Sequence, residues 1–416
     1  MDPHYDAIIV GGRCAGAATA MLLARSGLRV LVIEAARPGT DTLSTHALMR
    51  GGVLLLDRWG LLDAVIDGGT PAIVRSDFVY GDEVETVHIH PAAGVSALRA
   101  PRRTLLDTVL LDAARAAGAE VRTPARVTRV LIDAGGVRGV EGVERGTRLP
   151  FRATAALTIG ADGRNSTVAL AIDSPLVRRG TSCGAVVYGY FPGLPRDRYR
   201  WIYRPGVAAG VVPTGDGLAC VWAGTTSTRF GSLRTRGLDL AFRTLLAEAD
   251  AGLDRSVGAP VGVLRAFPGR PGWIRRSAGP GWALVGDAGD FKDPITAHGM
   301  TDALRDAQLL TRALLDAADS GQSWLEATCG YQRLRDQLSE PLFDVTERIA
   351  GYRWNLRQVR EELRELSQAM RPEIQVLNDA TALGREGRST HRFTQCMGTQ
   401  CDRHRDEGLS PDPRAP

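Results

Sequence analysis

Three glycines and one acid near the start of the chain have the types and spacing of a nucleotide cradle. Gly11, Gly12 and Gly16 follow an apolar run at 7–10, and Glu34 closes a second apolar run at 29–33. Bare backbone N–H groups at the start of a helix can take a pyrophosphate, and an acid at the end of the next strand can bond a ribose hydroxyl. One position departs from the G-x-G-x-x-G spacing: counting from Gly11, the second glycine is replaced by Arg13. An arginine fits there if its Cβ points away from the ligand, and its guanidinium can then cover the cofactor or meet a phosphate. The plainer reading is a βαβ turn with no ligand. The strand before, the helix after and the acid at the right distance favour the cradle.

Two later turns repeat the same physics. An apolar run at 156–159 ends in Gly160-Ala161-Asp162-Gly163-Arg164-Asn165-Ser166, and another at 282–285 ends in Gly286-Asp287-Ala288. A strand ending in such a turn, inside a nucleotide-binding sheet, faces the ligand side. After Asp287 a loop holds Lys292, Pro294, His298 and Gly299, and a helix is expected over 300–317, opening at Met300 with its positive end toward that loop.

Several titratable side chains are candidates for chemistry. His46 follows Ser44 and Thr45 at the expected start of a second helix; it serves either the chemical end of a pocket or only packing and capping. Lys292 either pairs with Asp290 or Asp293 or offers a free cation, and His298 either orients its loop or acts on substrate. His88 and His90 share one face of a strand with no third ligand nearby, so a solvated face is expected. His391, Cys396, Cys401 and His404 have ligand chemistry, but their spacing matches no zinc motif, and no metal is expected.

The elements that must position these groups follow from periodicity and turn residues. The fold class is α/β, with a Rossmann-like nucleotide-binding domain assembled from 1–70, 101–173 and 275–320. An antiparallel-sheet substrate domain is inserted from 71–100 and 174–274. A C-terminal helical region spans 321–401, and the polar tail 402–416 is expected to be disordered. The inserted region is rich in aromatics, among them Tyr188, Tyr190, Tyr199, Trp201, Tyr203 and Trp222; such stripes are more often core than binding surface.

Composition narrows the class. The 416 residues are 44% hydrophobic, enough for a sizeable core, and the net charge of +4 is scattered rather than in runs, which argues against a nucleic-acid surface. Nearly all the basic residues are arginine, and Lys292 is the sole lysine. Six dispersed cysteines suit a reducing cytoplasm. The first strand starts too early to leave room for a signal peptide, and no apolar stretch is long enough to span a membrane. Oligomeric state is not legible.

The opening V-G-G-R-C-A-G-A-A-T-A with Glu34, the G-A-D-G-R-N-S run and the G-D-A-G-D-F-K-D-P-I-T-A-H-G run resemble the flavoprotein monooxygenases related to 4-hydroxybenzoate hydroxylase. Geranylgeranyl reductases and flavin-dependent halogenases share that fold. The resemblance covers about the first 320 residues and implies FAD. It implies that Gly11, Gly12 and Gly16 hold the pyrophosphate and Glu34 the adenosine ribose. Arg103, in an R-x-x-L-D run, matches an arginine that contacts FAD. Asp162 and Gly163 match a DG motif beside the cofactor. Asp287 matches the acid on the ribityl chain, and the loop from Pro294 to Gly299 lies beside the flavin ring. The DG motif often ends in arginine, where this chain has Ala169. With no second glycine fingerprint, NAD(P)H as reductant would visit a groove rather than its own domain.

Three chemistries follow from the resemblance. In monooxygenation NAD(P)H reduces FAD, O2 adds at C4a to give a hydroperoxide, and the distal oxygen passes to an aromatic or polycyclic small molecule by hydroxylation or epoxidation, as in secondary metabolism. Halogenation of the tryptophan type requires a lysine between flavin and substrate and a W-x-W-x-I-P stretch; the nearest run here, Trp201-Ile202-Tyr203-Arg204-Pro205, does not match. Reduction of isolated double bonds, as in geranylgeranyl reductases, uses a cysteine-glycine pair where this chain has Ser44-Thr45-His46. A scaffold that binds FAD without turnover is disfavoured by three intact motifs. Monooxygenation is the expected activity.

Overall fold

The computed structural model describes residues 4–382. Among them the strands form three sheets. The apolar run after the N-terminus becomes the strand His4–Val10, which lies inside the first sheet, in the order 278–279, 282–284, 150–160, 4–10, 30–33, 120–122. From 282–284 to 120–122 all neighbours are parallel. Their register aligns Val10 with Gly160, and Gly160 with Leu284. Parallel strands end on one edge, so the three glycine-acid turns are delivered side by side. A hairpin, Ala125–Asp133 and Gly136–Glu144, adds to the other half of 150–160.

The helix Cys14–Arg25 is built from small residues, and that lets it sit close to the sheet. A Cβ on Gly16 would collide with the Gly11 carbonyl oxygen and lie 3.0 Å from Ala161 Cβ. Gly11 itself has φ +101, a conformation open to glycine, and a Cβ there would strike the Ala161 backbone. The helix Gly299–Ser320 starts one residue before and ends three residues after the expected span. Its stop is Gly321 in left-handed backbone, beyond the end of the apolar stripe.

The second sheet has the order 265–267, 184–192, 218–226, 207–213, 198–204, 75–80, 83–88. It is antiparallel except at one junction, where 75–80 runs parallel to 198–204. The expected antiparallel sheet thus carries one parallel junction: the two strands come from segments separated by part of the first sheet, so no hairpin ties their directions. One face packs on the helix Leu238–Ala249 through Phe242, Leu245 and Leu246. On the other face the aromatic stripe, Tyr188 to Trp222, packs with Leu342, Val345, Ile349 and Trp354. The aromatics are thus core, covered by the helices Trp324–Ala350 and Leu356–Ala369. His88 ends an exposed edge strand and His90 lies past it, also exposed. The third sheet joins 176–179, 273–275 and 290–291.

No helix among the described residues is long and apolar enough to cross a membrane. His391, Cys396, Cys401, His404 and the tail 402–416 lie outside the described residues.

The crowding at Gly16 gives a direct test. Gly16→Ala places a methyl group against backbone that cannot rotate aside, so urea unfolding should show a loss of at least about 2 kcal/mol, together with loss of flavin retention.

Candidate active site

The three turns converge on one cavity of about 530 Å³, within the roughly 300–1,000 Å³ range of small-molecule sites. Gly11, Arg13, Glu34, His46, Arg103, Asp162, Gly163, Asp287, Lys292, Pro294, Gly299 and Met300 all line it. Gly12, Gly16 and His298 stand just behind its wall. Gly12 donates its N–H to Glu34, Gly16 packs on Gly11, and His298 turns into the protein.

Two helix starts open on this space, at Cys14 and Gly299. Neither has a side-chain cap: the side chains of Arg13 and His298, at the capping positions, accept no first-turn N–H. Uncapped N–H groups with a positive dipole end fit an anionic guest. Glu34 is fixed by two backbone donors, Gly12 N–H at 2.6 Å and Ala36 N–H at 2.7 Å. Asp162 accepts from Ser166 Oγ at 2.5 Å and Thr167 N–H at 2.6 Å, so much of its acceptor capacity already caps its own turn. Burial raises its carboxyl above the usual range although those bonds oppose the shift.

A carboxylate that the sequence reading did not single out organises the cationic wall. Asp107 Oδ1 accepts from Arg103 Nε at 3.0 Å and from the Cys14 thiol at 3.1 Å, while Oδ2 lies 3.8 Å from Arg13 Nη1. Its signal was available, since Asp107 is the acid of the R-x-x-L-D run. Arg13 Nη1 and Asp107 Oδ2 are buried without a hydrogen-bond partner, capacity that a phosphate and its solvation can use. Arg164, 4.0 Å from Asp287, is a further cation on the lining. Burial raises the Asp287 carboxyl to about 6, against the pull of Arg164 and Arg103.

At another part of the lining, His46 adopts φ +69, is 1% exposed, and has Nε2 at 2.6 Å from the Tyr190 hydroxyl. Its Nδ1 is buried and unpartnered. Burial, then the nearby Arg103, Arg102 and Arg265, drive its pKa down to about 3, so it is uncharged at neutral pH. The Arg102 guanidinium stacks 4.3 Å over the Tyr190 ring and pairs with Asp41, which Arg265 also meets at 3.3 Å. Tyr188 lines the same wall, accepts the Ser44 N–H, and is pushed up to about 12 by burial.

Lys292 is not a free cation. Its Nζ lies 2.6 Å from Asp290 and 3.1 Å from Asp302. The expected pairing with Asp290 is present, but Asp302 takes the place considered for Asp293, whose carboxylate instead accepts the N–H groups of Gly184 and Ile295. His298 Nε2 lies 3.2 Å from Glu373 and 3.8 Å from Asp302. Burial lowers its basicity, but Glu373 and Asp302 more than reverse this, and the net shift is upward. His298, Asp302 and Glu373 are spaced closely enough for a metal ion. The Arg305 guanidinium already serves the two acids, at 2.7 Å from Asp302 and 3.3 Å from Glu373, so the cluster is an ion-pair network.

These residues fit FAD: two helix starts without side-chain caps, an arginine-lined middle, and lining glycines, Gly163 and Gly299, with room where a Cβ would stand. Unfolded His46 takes up a proton that the folded protein refuses, so stability should fall as pH drops from about 6.5 toward about 3. In urea titrations at pH 7 and pH 4.5, His46→Asn should show a shallower acid loss than the wild type.

Comparison with known proteins agrees with this geometry. Residues 4–214 match the model of the FAD binding domain family, and residues 264–353 match that of squalene epoxidase. A digeranylgeranylglycerophospholipid reductase of Methanosarcina mazei is 27% identical over 342 residues, 77% of this chain and 77% of its own. A 6-methylpretetramide 4-monooxygenase of Streptomyces rimosus is 28% identical over 348 residues, 79% of this chain and 80% of its own. The solved flavin-dependent brominase Bmp2 shares the fold with a TM-score of 0.75 at 17% identity, covering 91% of this chain and 94% of that one. The chain belongs to the FAD binding domain family and is a flavin-dependent oxidoreductase.

Proposed function

We propose that the chain is an FAD-dependent monooxygenase that hydroxylates or epoxidises an aromatic or polycyclic small molecule, with NAD(P)H as reductant and O2 as co-substrate. Bound FAD would supply electron storage and oxygen activation. The chain supplies the rest. Gly11, Gly12 and Gly16 let backbone N–H groups approach the pyrophosphate, with Arg13 and Arg103 as countercharges. Glu34, fixed by Gly12 and Ala36, offers its remaining lone pairs to the adenosine ribose. Asp287 accepts from the ribityl hydroxyls, Asp162 and Gly163 border the cofactor, and Pro294, Gly299 and Met300 border the ring. The uncapped start of Gly299–Ser320 favours negative charge on that ring.

The observation that carries this reading is the wall made by 42–46 and the second sheet. His46 there is uncharged, and burial raises the phenols of Tyr188 and Tyr190, so none of these three is a ready acid near neutral pH. Saturating an isolated double bond requires a proton to follow the hydride, and that wall is poorly equipped to deliver it. Oxygen transfer asks instead for a dry, shaped wall. His46 and Tyr190 then act as a hydrogen-bonded pair that fixes the shape of this wall.

The aromatic substrate class rests on Tyr188, Phe267 and Phe291, which line the cavity, and not on the wider aromatic stripe, which is core. The relative from Streptomyces rimosus is named a monooxygenase of 6-methylpretetramide, and the one from Methanosarcina mazei a reductase.

The test follows NADPH and O2 consumption by the purified yellow protein across candidate substrates. Substrate should stimulate uptake of both in about equal amounts. Substrate-dependent NADPH loss that continues undiminished in anaerobic buffer would overturn oxygenation in favour of double-bond reduction.

A further inference from the structure

The helix Arg371–Ala382 lies beyond both matched stretches, 4–214 and 264–353. It nonetheless carries Glu373 into the interior, where that residue is 1% exposed. Glu373 Oε2 lies 3.2 Å from His298 Nε2 and 3.3 Å from Arg305 Nη1. The helix is pinned to its neighbour Arg50–Arg58 by Arg58, which donates to the Leu377 carbonyl and, at 2.6 Å, to Asn378 Oδ1. Room for the carboxylate exists because residue 51 is glycine: a Cβ there would collide with Glu373 Oε1.

His298 immediately precedes Gly299, the uncapped helix start on the cavity. A cation at a helix N-terminus is disfavoured by the dipole, and here two carboxylates compensate, Asp302 from the same helix and Glu373 from the C-terminal one. Asp302 also holds Lys292, which lines the cavity. The chain of ion pairs therefore runs from the C-terminal helix to the cavity wall.

We propose that Glu373 is a positioning residue for the flavin: the C-terminal helix delivers its carboxylate to His298 and Arg305, and this tie fixes the 294–298 loop and the first turn of Gly299–Ser320 against the cofactor. The proposal rests on flavin binding, and holds whether oxygen or hydride is transferred afterwards. When His298 loses its proton the tie to Glu373 weakens and the loop loosens, so FAD affinity carries an alkaline limb set by His298. The charged groups facing His298 are Glu373, Asp302 and Arg305, with Lys292 and Asp290 one ion pair further on.

The experiment titrates FAD into the full-length chain across pH for wild type, Glu373→Gln, Glu373→Asp and Gly51→Ala, and measures the midpoint potential of the bound flavin. Glu373→Gln should move the alkaline limb down by about one pH unit and weaken binding about tenfold above it. Glu373→Asp should return the limb toward the wild-type position. Gly51→Ala should reproduce the shift from the opposite side, because it pushes the carboxylate away while keeping the helix a good helix former. The midpoint potential above the limb should change in the Gln and Ala variants. If Glu373→Gln does not fold, Gly51→Ala decides alone. An unmoved limb in the folded variants, or a loss of affinity equal at every pH, overturns the proposal.

Discussion

The molecule depends on one registration: Val10, Gly160 and Leu284 stand level at the ends of three parallel strands. Each strand hands its chain to a turn, and each turn carries a glycine and, directly or one strand further on, a carboxylate. Backbone hydrogen bonding sets this level, and packing enforces it, because a slip by one would exchange the side chains fitted to one covered face of the sheet with those fitted to the other. The cavity is therefore a product of sheet geometry first and of its lining second. The tight seat of Cys14–Arg25 on the Gly11 loop adds to the same constraint.

Beneath the cavity floor the charges are held at a cost. Arg305 has no exposed surface, and it lies among Asp302, Asp306, Glu373 and Ser339. Removing water from such a group costs several kcal/mol, which only near-complete pairing offsets. The network cross-links the floor, since Asp302 serves Lys292, His298 and Arg305 while Glu373 serves His298 and Arg305, and Lys292 is drawn into it by Asp290 and Asp302. The opposite wall follows another rule: His46 is stripped of charge, and Tyr190 is its partner. The floor is thus held by ion pairs, while the His46 wall presents an uncharged pair.

What could be read from the chain was whatever repeats a local rule. The glycine turns, the acids at strand ends and the helix starting near Met300 are written in adjacent residues, and the α/β class follows from them. Groups brought together by packing were not legible. Glu373 sits 75 residues from His298 in sequence, and no periodicity links them. Asp107 was visible inside its motif, but its work as a common partner of Arg103, Cys14 and Arg13 depends on how two helices meet. The aromatic stripe was read as core, and that is where most of it lies; only its neighbours decide that Tyr188 also faces the cavity.

The parallel junction of 75–80 with 198–204 has a consequence for how the protein is made. The strand 75–80 emerges from the ribosome long before its neighbour 198–204 exists, and 150–160 waits still longer for 282–284. The second sheet therefore stays incomplete until 265–267 has been made, and the first until 282–284 has. A nascent chain has no complete berth for its prosthetic group until Met300 and Ala303 have also emerged, which ties loading to the appearance of that helix.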